Sequence, residues 1–149
     1  VMAGNVSQNT ISVAWNHLLK GYEDALDGSN VGLHEMSHAL YFQKMEVEKN
    51  YAKGFARRFQ SLMKACTEAA QTEQTGLQNL YSAYADKNEQ EFWAETVELF
   101  FERPQDLQAH YPAVYAATTQ LLQQNPLNKP EPVLRQKFHI RRMLRRRIN

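Results

Sequence analysis

The residues of this chain with the clearest chemical potential are His34, Glu35 and His38, in the run HEMSH. Histidines four apart on a helix lie on one face, one turn apart. That spacing presents two imidazoles to one tetrahedral Zn²⁺. Glu35, next to the first histidine, can reach a water activated by the ion without filling a coordination position, which is the post of a general base. Leu33, Met36, Leu40 and Tyr41 fall near i, i+3, i+7 and i+8, so the motif is predicted to ride on a helix with these residues on one face. Spacing alone also fits a half-exposed helix with two solvated histidines.

A catalytic zinc site needs a third protein ligand and an open position for water. His17, His110 and His139 each sit in a surface-like context. The better candidates are Glu91, Glu95 and Glu98, which fall at i, i+4 and i+7 of an otherwise apolar segment, EQEFWAETVELFFE. A helix so apolar is buried on most sides. Its acidic stripe is either the one solvated face or a face turned to a metal, which would neutralise carboxylates that resist burial. Beside HEMSH the metal-facing reading is preferred, and spacing does not choose among the three. A tyrosine hydroxyl near the zinc could hydrogen-bond a developing oxyanion. Seven tyrosines are available, with Tyr81 and Tyr84 just before the acidic helix.

Positioning these groups requires mostly helices. A short strand is expected at Ile11-Ser12-Val13-Ala14-Trp15, then a helix capped by Asn16 and running to about Leu26. Asp27-Gly28 signals a turn. Ser29 or Asn30 caps the HEMSH helix, which runs to about Met45. A helix over about 47–70 presents Phe55, Phe59, Leu62 and Met63, and 80–88 reads as irregular. The acidic helix spans 89–102 and ends at Pro104, and another helix runs from Asp106 to about Gln124 with Leu107, Tyr111, Val114, Tyr115 and Leu122 inward. The fold class is mainly α, with at most a short strand near the N-terminus.

The length of 149 residues suits one domain with a core of its own. We divide it into a catalytic domain over 1–130 and a basic tail over 131–149. Residues 135–149 carry seven Lys or Arg and no acid, leaving ten basic against sixteen acidic residues in the body. The tail interleaves Phe138, Ile140, Met143, Leu144 and Ile148 with arginines. That pattern could meet phosphates or an anionic membrane, though a solvated tail, or one packed on the acidic body, is preferred. Cys66 is the only cysteine and is expected to be a buried thiol, with no internal disulfide. No stretch approaches the roughly 20 apolar residues of a membrane span, and the start lacks the features of a signal peptide. A cytoplasmic location is expected, and a longer chain with an upstream anchor is compatible with the start at Val1.

HEMSHAL, with YADKNEQEFWAETVELFFERPQDL downstream and ISVAWNHLLKGYEDALDGSNVGLHE upstream, resembles the Mlc titration factor A family of bacterial zinc peptidases over roughly residues 11–126. It is more distantly similar to the catalytic domain of anthrax lethal factor. Both are gluzincins, in which HExxH is followed by a glutamate ligand. The resemblance implies a gluzincin-type catalytic domain with His34, His38 and Glu91 as zinc ligands and Glu35 as general base. It implies that Tyr84 stabilises the transition state and that Glu95 and Glu98 stand behind the ligands. One position departs from the family: Tyr41 stands where relatives usually carry an Asp, and Glu95 is a candidate to compensate.

The expected activity is zinc-dependent hydrolysis of peptide or protein substrates. The alternative is a zinc-containing domain of little activity that binds a partner such as a transcriptional repressor, as the titration factor family's name suggests. The Tyr41 departure is the feature that favours this alternative.

Overall fold

A computed structural model of the chain describes residues 4–7, 10–48, 52–72, 80–82, 85 and 88–128. The order is β1 (Gly4–Ser7), β2 (Thr10–Val13), α1 (Trp15–Glu23), α2 (Val31–Phe42), α3 (Lys53–Thr72), α4 (Glu89–Glu102), α5 (Pro104–His110) and α6 (Pro112–Leu122). A π-helical turn at Gln43–Val47 extends α2, and a 3₁₀ turn at Pro126–Asn128 follows α6. The domain is mainly α. The expected single strand is one arm of an antiparallel hairpin, with Gly4 opposite Val13 and Ser7 opposite Thr10. Helix α1 starts at Trp15, earlier than expected, with Ala14 rather than Asn16 at its N-cap, and it stops at Glu23.

Helix α4 is the centre of the molecule. Trp93, Ala94, Thr96, Val97, Leu99 and Phe100 are all buried on it. Its bounds match the expected 89–102, because Asn88 caps it and the Arg103-Pro104 step stops it. A residue before proline is pushed out of the helical region, and Arg103 sits at φ −130°, ψ 50°. The same rule splits the helix expected from Asp106 to Gln124. Tyr111, before Pro112, takes φ −131°, ψ 63°, and each proline opens a new helix at a position that needs no N–H donor.

Helix α3 buries Phe55, Phe59, Leu62 and Cys66, spaced as one helical stripe, while the expected Met63 lies at the margin. Phe59 joins three helices: its ring meets Tyr41 of α2 edge-on at 5.1 Å and Trp93 of α4 at 5.8 Å. Helix α6 closes the core with Val114, Tyr115, Thr118 and Leu121. Cys66 is buried as expected, and burial pushes its thiol up to about 12.

Helix α2 is turned differently from its apolar pattern. Gly32, Glu35 and Ser37 are its buried residues, while Met36 is 50% exposed. Contacts decide the turn: α4, the hairpin and α1 all pack against α2. The Trp93 indole N–H donates to the Ser37 carbonyl at 2.9 Å, tying α4 to the middle of α2. The turn before α2 has Gly28 at φ +78°, a conformation that favours glycine, and the Asp27 carboxylate accepts from Ser29 N–H at 2.8 Å. Residues 129–149, including the basic tail, lie outside the described residues, as does most of the segment before α4.

Trp93→Phe removes the bond to Ser37 and leaves a buried carbonyl short of a donor. It is expected to lower the unfolding free energy by roughly 1–3 kcal/mol, measured in urea. An unchanged midpoint would show that this bond contributes nothing.

Candidate metal centre

Asn30 starts the site. Its side-chain carbonyl accepts from the Gly32 and Leu33 N–H groups at 3.1 and 3.2 Å, fixing the first turn of α2. His34 is then one turn in and His38 two. Their rings meet edge-on with centroids 4.8 Å apart, and their Nε2 atoms lie 3.1 Å from each other. Asn88 does the same for α4, accepting from Gln90 and Glu91 N–H at 2.9 and 3.0 Å. Glu91 thereby stands in the first turn of α4, where the helix dipole favours a carboxylate. Its oxygens lie 3.2 Å from His34 Nε2 and 3.7 Å from His38 Nε2.

Ligand atoms of His34, His38 and Glu91 all fall within 4.8 Å of one another. Zinc bound tetrahedrally at about 2.0–2.1 Å to nitrogen and oxygen separates its ligand atoms by about 3.3 Å. The two Nε2 atoms at 3.1 Å and the Glu91 Oε2 at 3.2 Å from His34 Nε2 match that spacing, and the 3.7 Å approach to His38 Nε2 is made by the other Glu91 oxygen, Oε1. Two imidazoles and one carboxylate also suit zinc chemically. The three residues therefore fit a metal ion of this kind.

Glu98, two turns along α4 from Glu91, lies behind His34. Its carboxylate accepts from His34 Nδ1–H at 2.6 Å and from the Asn30 backbone N–H, also at 2.6 Å. With the Nδ1 proton held there, a neutral His34 turns its Nε2 lone pair toward His38 and Glu91. Asn30 also donates through Nδ2 to Glu102 at 2.9 Å and to the Gly21 carbonyl at 3.2 Å. Glu35 is buried at 7% exposure, beneath β1. Sequence reasoning marked Asn30 as a cap but missed its hold on two carboxylates, because those partners lie 68 and 72 residues away. The hairpin and its contact with Glu35 left no signal in the periodicity.

Glu95 does not join this group. Both its oxygens turn to Ser82, accepting from its N–H at 2.9 Å and from its hydroxyl at 2.5 Å. Two donors from one residue hold it there, so it supplies no carboxylate in place of the missing Asp. Tyr41 lines the cavity with its ring on Phe59. Tyr84 and His139 lie outside the described residues. His17 lines the cavity wall without joining the metal-fitting cluster.

The protein's own charges separate the two histidines. Burial pulls the His34 imidazolium down, but the Glu98 hydrogen bond and the Glu98, Glu91 and Glu35 charges outweigh it and raise its pKa. Burial and the His34 charge lower that of His38. Burial, with Glu91 and Glu98 nearby, raises that of Glu35 against the pull of His34. The whole group opens onto a cavity of about 950 Å³ between β1, α1, α2 and α4, with Asn5, Lys20, Phe42 and Gln90 also on its walls.

A mainly α domain with HExxH on one helix, α2, and an inward glutamate on a later one, α4, is zincin-like in class. The chain belongs to the glucose-regulated metallo-peptidase M90 family, whose model matches residues 1–123. No curated protein and no solved structure matches the chain significantly, so the more distant likeness to lethal factor gains no support.

Glu98→Gln is expected to weaken zinc binding by about 10- to 100-fold, read by competition with a chromophoric chelator. Wild-type affinity in that variant would show that Glu98 does not orient His34. A second expectation concerns pH. Burial raises the Glu102 pKa despite the Asn30 hydrogen bond, with Asp27 and Glu98 adding to the rise. A carboxyl raised in the folded state binds its proton more tightly there. Its contribution to stability is therefore lost as pH climbs above its ordinary 4.5. Glu102→Gln lacks that loss, so its unfolding free energy should fall less over this range than the wild type's. Parallel curves would contradict the assignment.

Proposed function

We propose that this chain is a zinc peptidase in which His34, His38 and Glu91 hold the ion and Glu35 is the general base. One observation carries this reading: ligand atoms of His34 and His38, on the helix that carries Glu35, and of Glu91 on α4 converge within 4.8 Å of one another. Zinc, when bound, acts as a Lewis acid toward a substrate carbonyl and lowers the pKa of a water. Glu35 takes a proton from the attacking water and passes it to the leaving nitrogen. Burial of Glu35 beneath β1 suits this exchange, since it limits competition from bulk water for the proton between the two steps. Glu98 keeps the His34 Nδ1 proton in place throughout. Tyr84, by resemblance, hydrogen-bonds the oxyanion.

The cavity supports a peptide or protein substrate, since its walls mix polar groups with Val6, Val31, Tyr41 and Phe42. Among the described residues no helix is long and apolar enough to cross a membrane.

Glu35→Gln should abolish turnover, by at least about 1,000-fold, while zinc stays bound. His38→Ala should lose the zinc itself. The measurement is digestion of a diverse peptide library by zinc-loaded protein, read by mass spectrometry, beside zinc content. Cleavage by Glu35→Gln at the wild-type rate, or equal zinc loss in both variants, would overturn the separation of base from ligands. A zinc-loaded wild type that cuts nothing would favour the partner-binding alternative.

A further inference from the structure

The β1 backbone lies directly against the Glu35 carboxyl at Gly4. A Cβ built on Gly4 would fall 2.5 Å from Glu35 Cγ and 2.6 Å from Cδ, with Oε1 nearer still. Carbon atoms not bonded to each other settle at about 3.5–4.0 Å. The overlapping atoms all belong to the Glu35 side chain, so any residue but glycine must push that side chain aside or lift β1 away. Lifting β1 is resisted by its pairing with β2, where Gly4 faces Val13 and the ladder continues to Ser7. The strand also packs on α2 and lines the cavity through Gly4, Asn5, Val6 and Ser7.

We infer that Gly4 is a positioning residue for the general base: by lacking a side chain it lets the β1 backbone lie on the Glu35 carboxyl and hold it against the metal-binding cluster. The inference rests on the peptidase reading above. It makes the hairpin part of the reacting centre through its backbone. Gly4 acts on the base alone. His34, His38 and Glu91 owe their places to α2 and α4, so metal affinity is independent of residue 4.

The test uses the full chain. Gly4→Ala, loaded with zinc, should lose about 100-fold in kcat, the scale of a base displaced by about 1 Å. KM and zinc affinity should each stay within about threefold, because the three ligands stay in place and the displaced group acts in the chemical step rather than in binding. Gly54→Ala is the control: its Cβ would meet nothing closer than Arg58 at 3.5 Å, so activity should not change. A stability cycle reads the contact without reference to turnover. Alanine in a strand ordinarily stabilises relative to glycine, so Gly4→Ala should lower the urea midpoint in the wild type and stop doing so in a Glu35→Ala background. Equal midpoint changes in the two backgrounds overturn the inference, as does a Gly4→Ala variant with wild-type kcat or one whose lost activity tracks lost zinc. A wild type that cuts no peptide overturns the peptidase reading, and Gly4's part in turnover with it, while unequal midpoint changes would still report the contact.

Discussion

The site depends on one buried carboxylate serving two donors. Glu98 is 6% exposed, on a helix otherwise given over to the core. A buried carboxylate is costly unless its oxygens are satisfied. Here one oxygen takes the His34 Nδ1–H and the other the Asn30 backbone N–H. Both donors belong to the opening turns of α2, so satisfying Glu98 sets where α2 begins, how it is rotated and which nitrogen His34 presents. The Trp93–Ser37 bond and the Phe59 ring then fix the rest of α2 against α4. Asn30 completes the arrangement by capping its own helix while binding Glu102.

This explains why α4 can be both the core helix and the acidic helix. Its apolar side chains fill the space against α2 and α6, and Glu91 and Glu98 lie along one edge, two turns apart, where imidazoles stand in for solvent. Glu95 sits between them in sequence but is rotated around the helix toward Ser82, and that rotation separates a carboxylate anchoring a loop from two that face the histidines.

How much was legible in the sequence follows from the range of the interactions. The bounds of α4 were readable because Asn88 and Pro104 are local signals, and HEMSH because both histidines lie on one helix. Glu91 could not be separated from Glu95 and Glu98 by spacing, since all three share a stripe; only the resemblance chose it, and the geometry places Glu91 beside both imidazoles. The break at Pro112 was readable in principle, as proline there bars the preceding residue from the helix. The facing of α2 was not. Its apolar pattern points Met36 inward, but a buried Glu35 and the covering hairpin turn the helix another way, and β1 has too little apolar alternation to announce itself.

Cys66 has a consequence for the durability of the centre. A thiolate is the softest and most avid zinc donor that proteins possess, and the most readily oxidised. This chain places its single thiol in the core between α3 and its neighbours and raises it to about 12, where it stays protonated. The metal-fitting set contains only imidazole and carboxylate. Peroxide and other oxidants that empty cysteine-bound zinc sites would find no sulfur donor among these three residues.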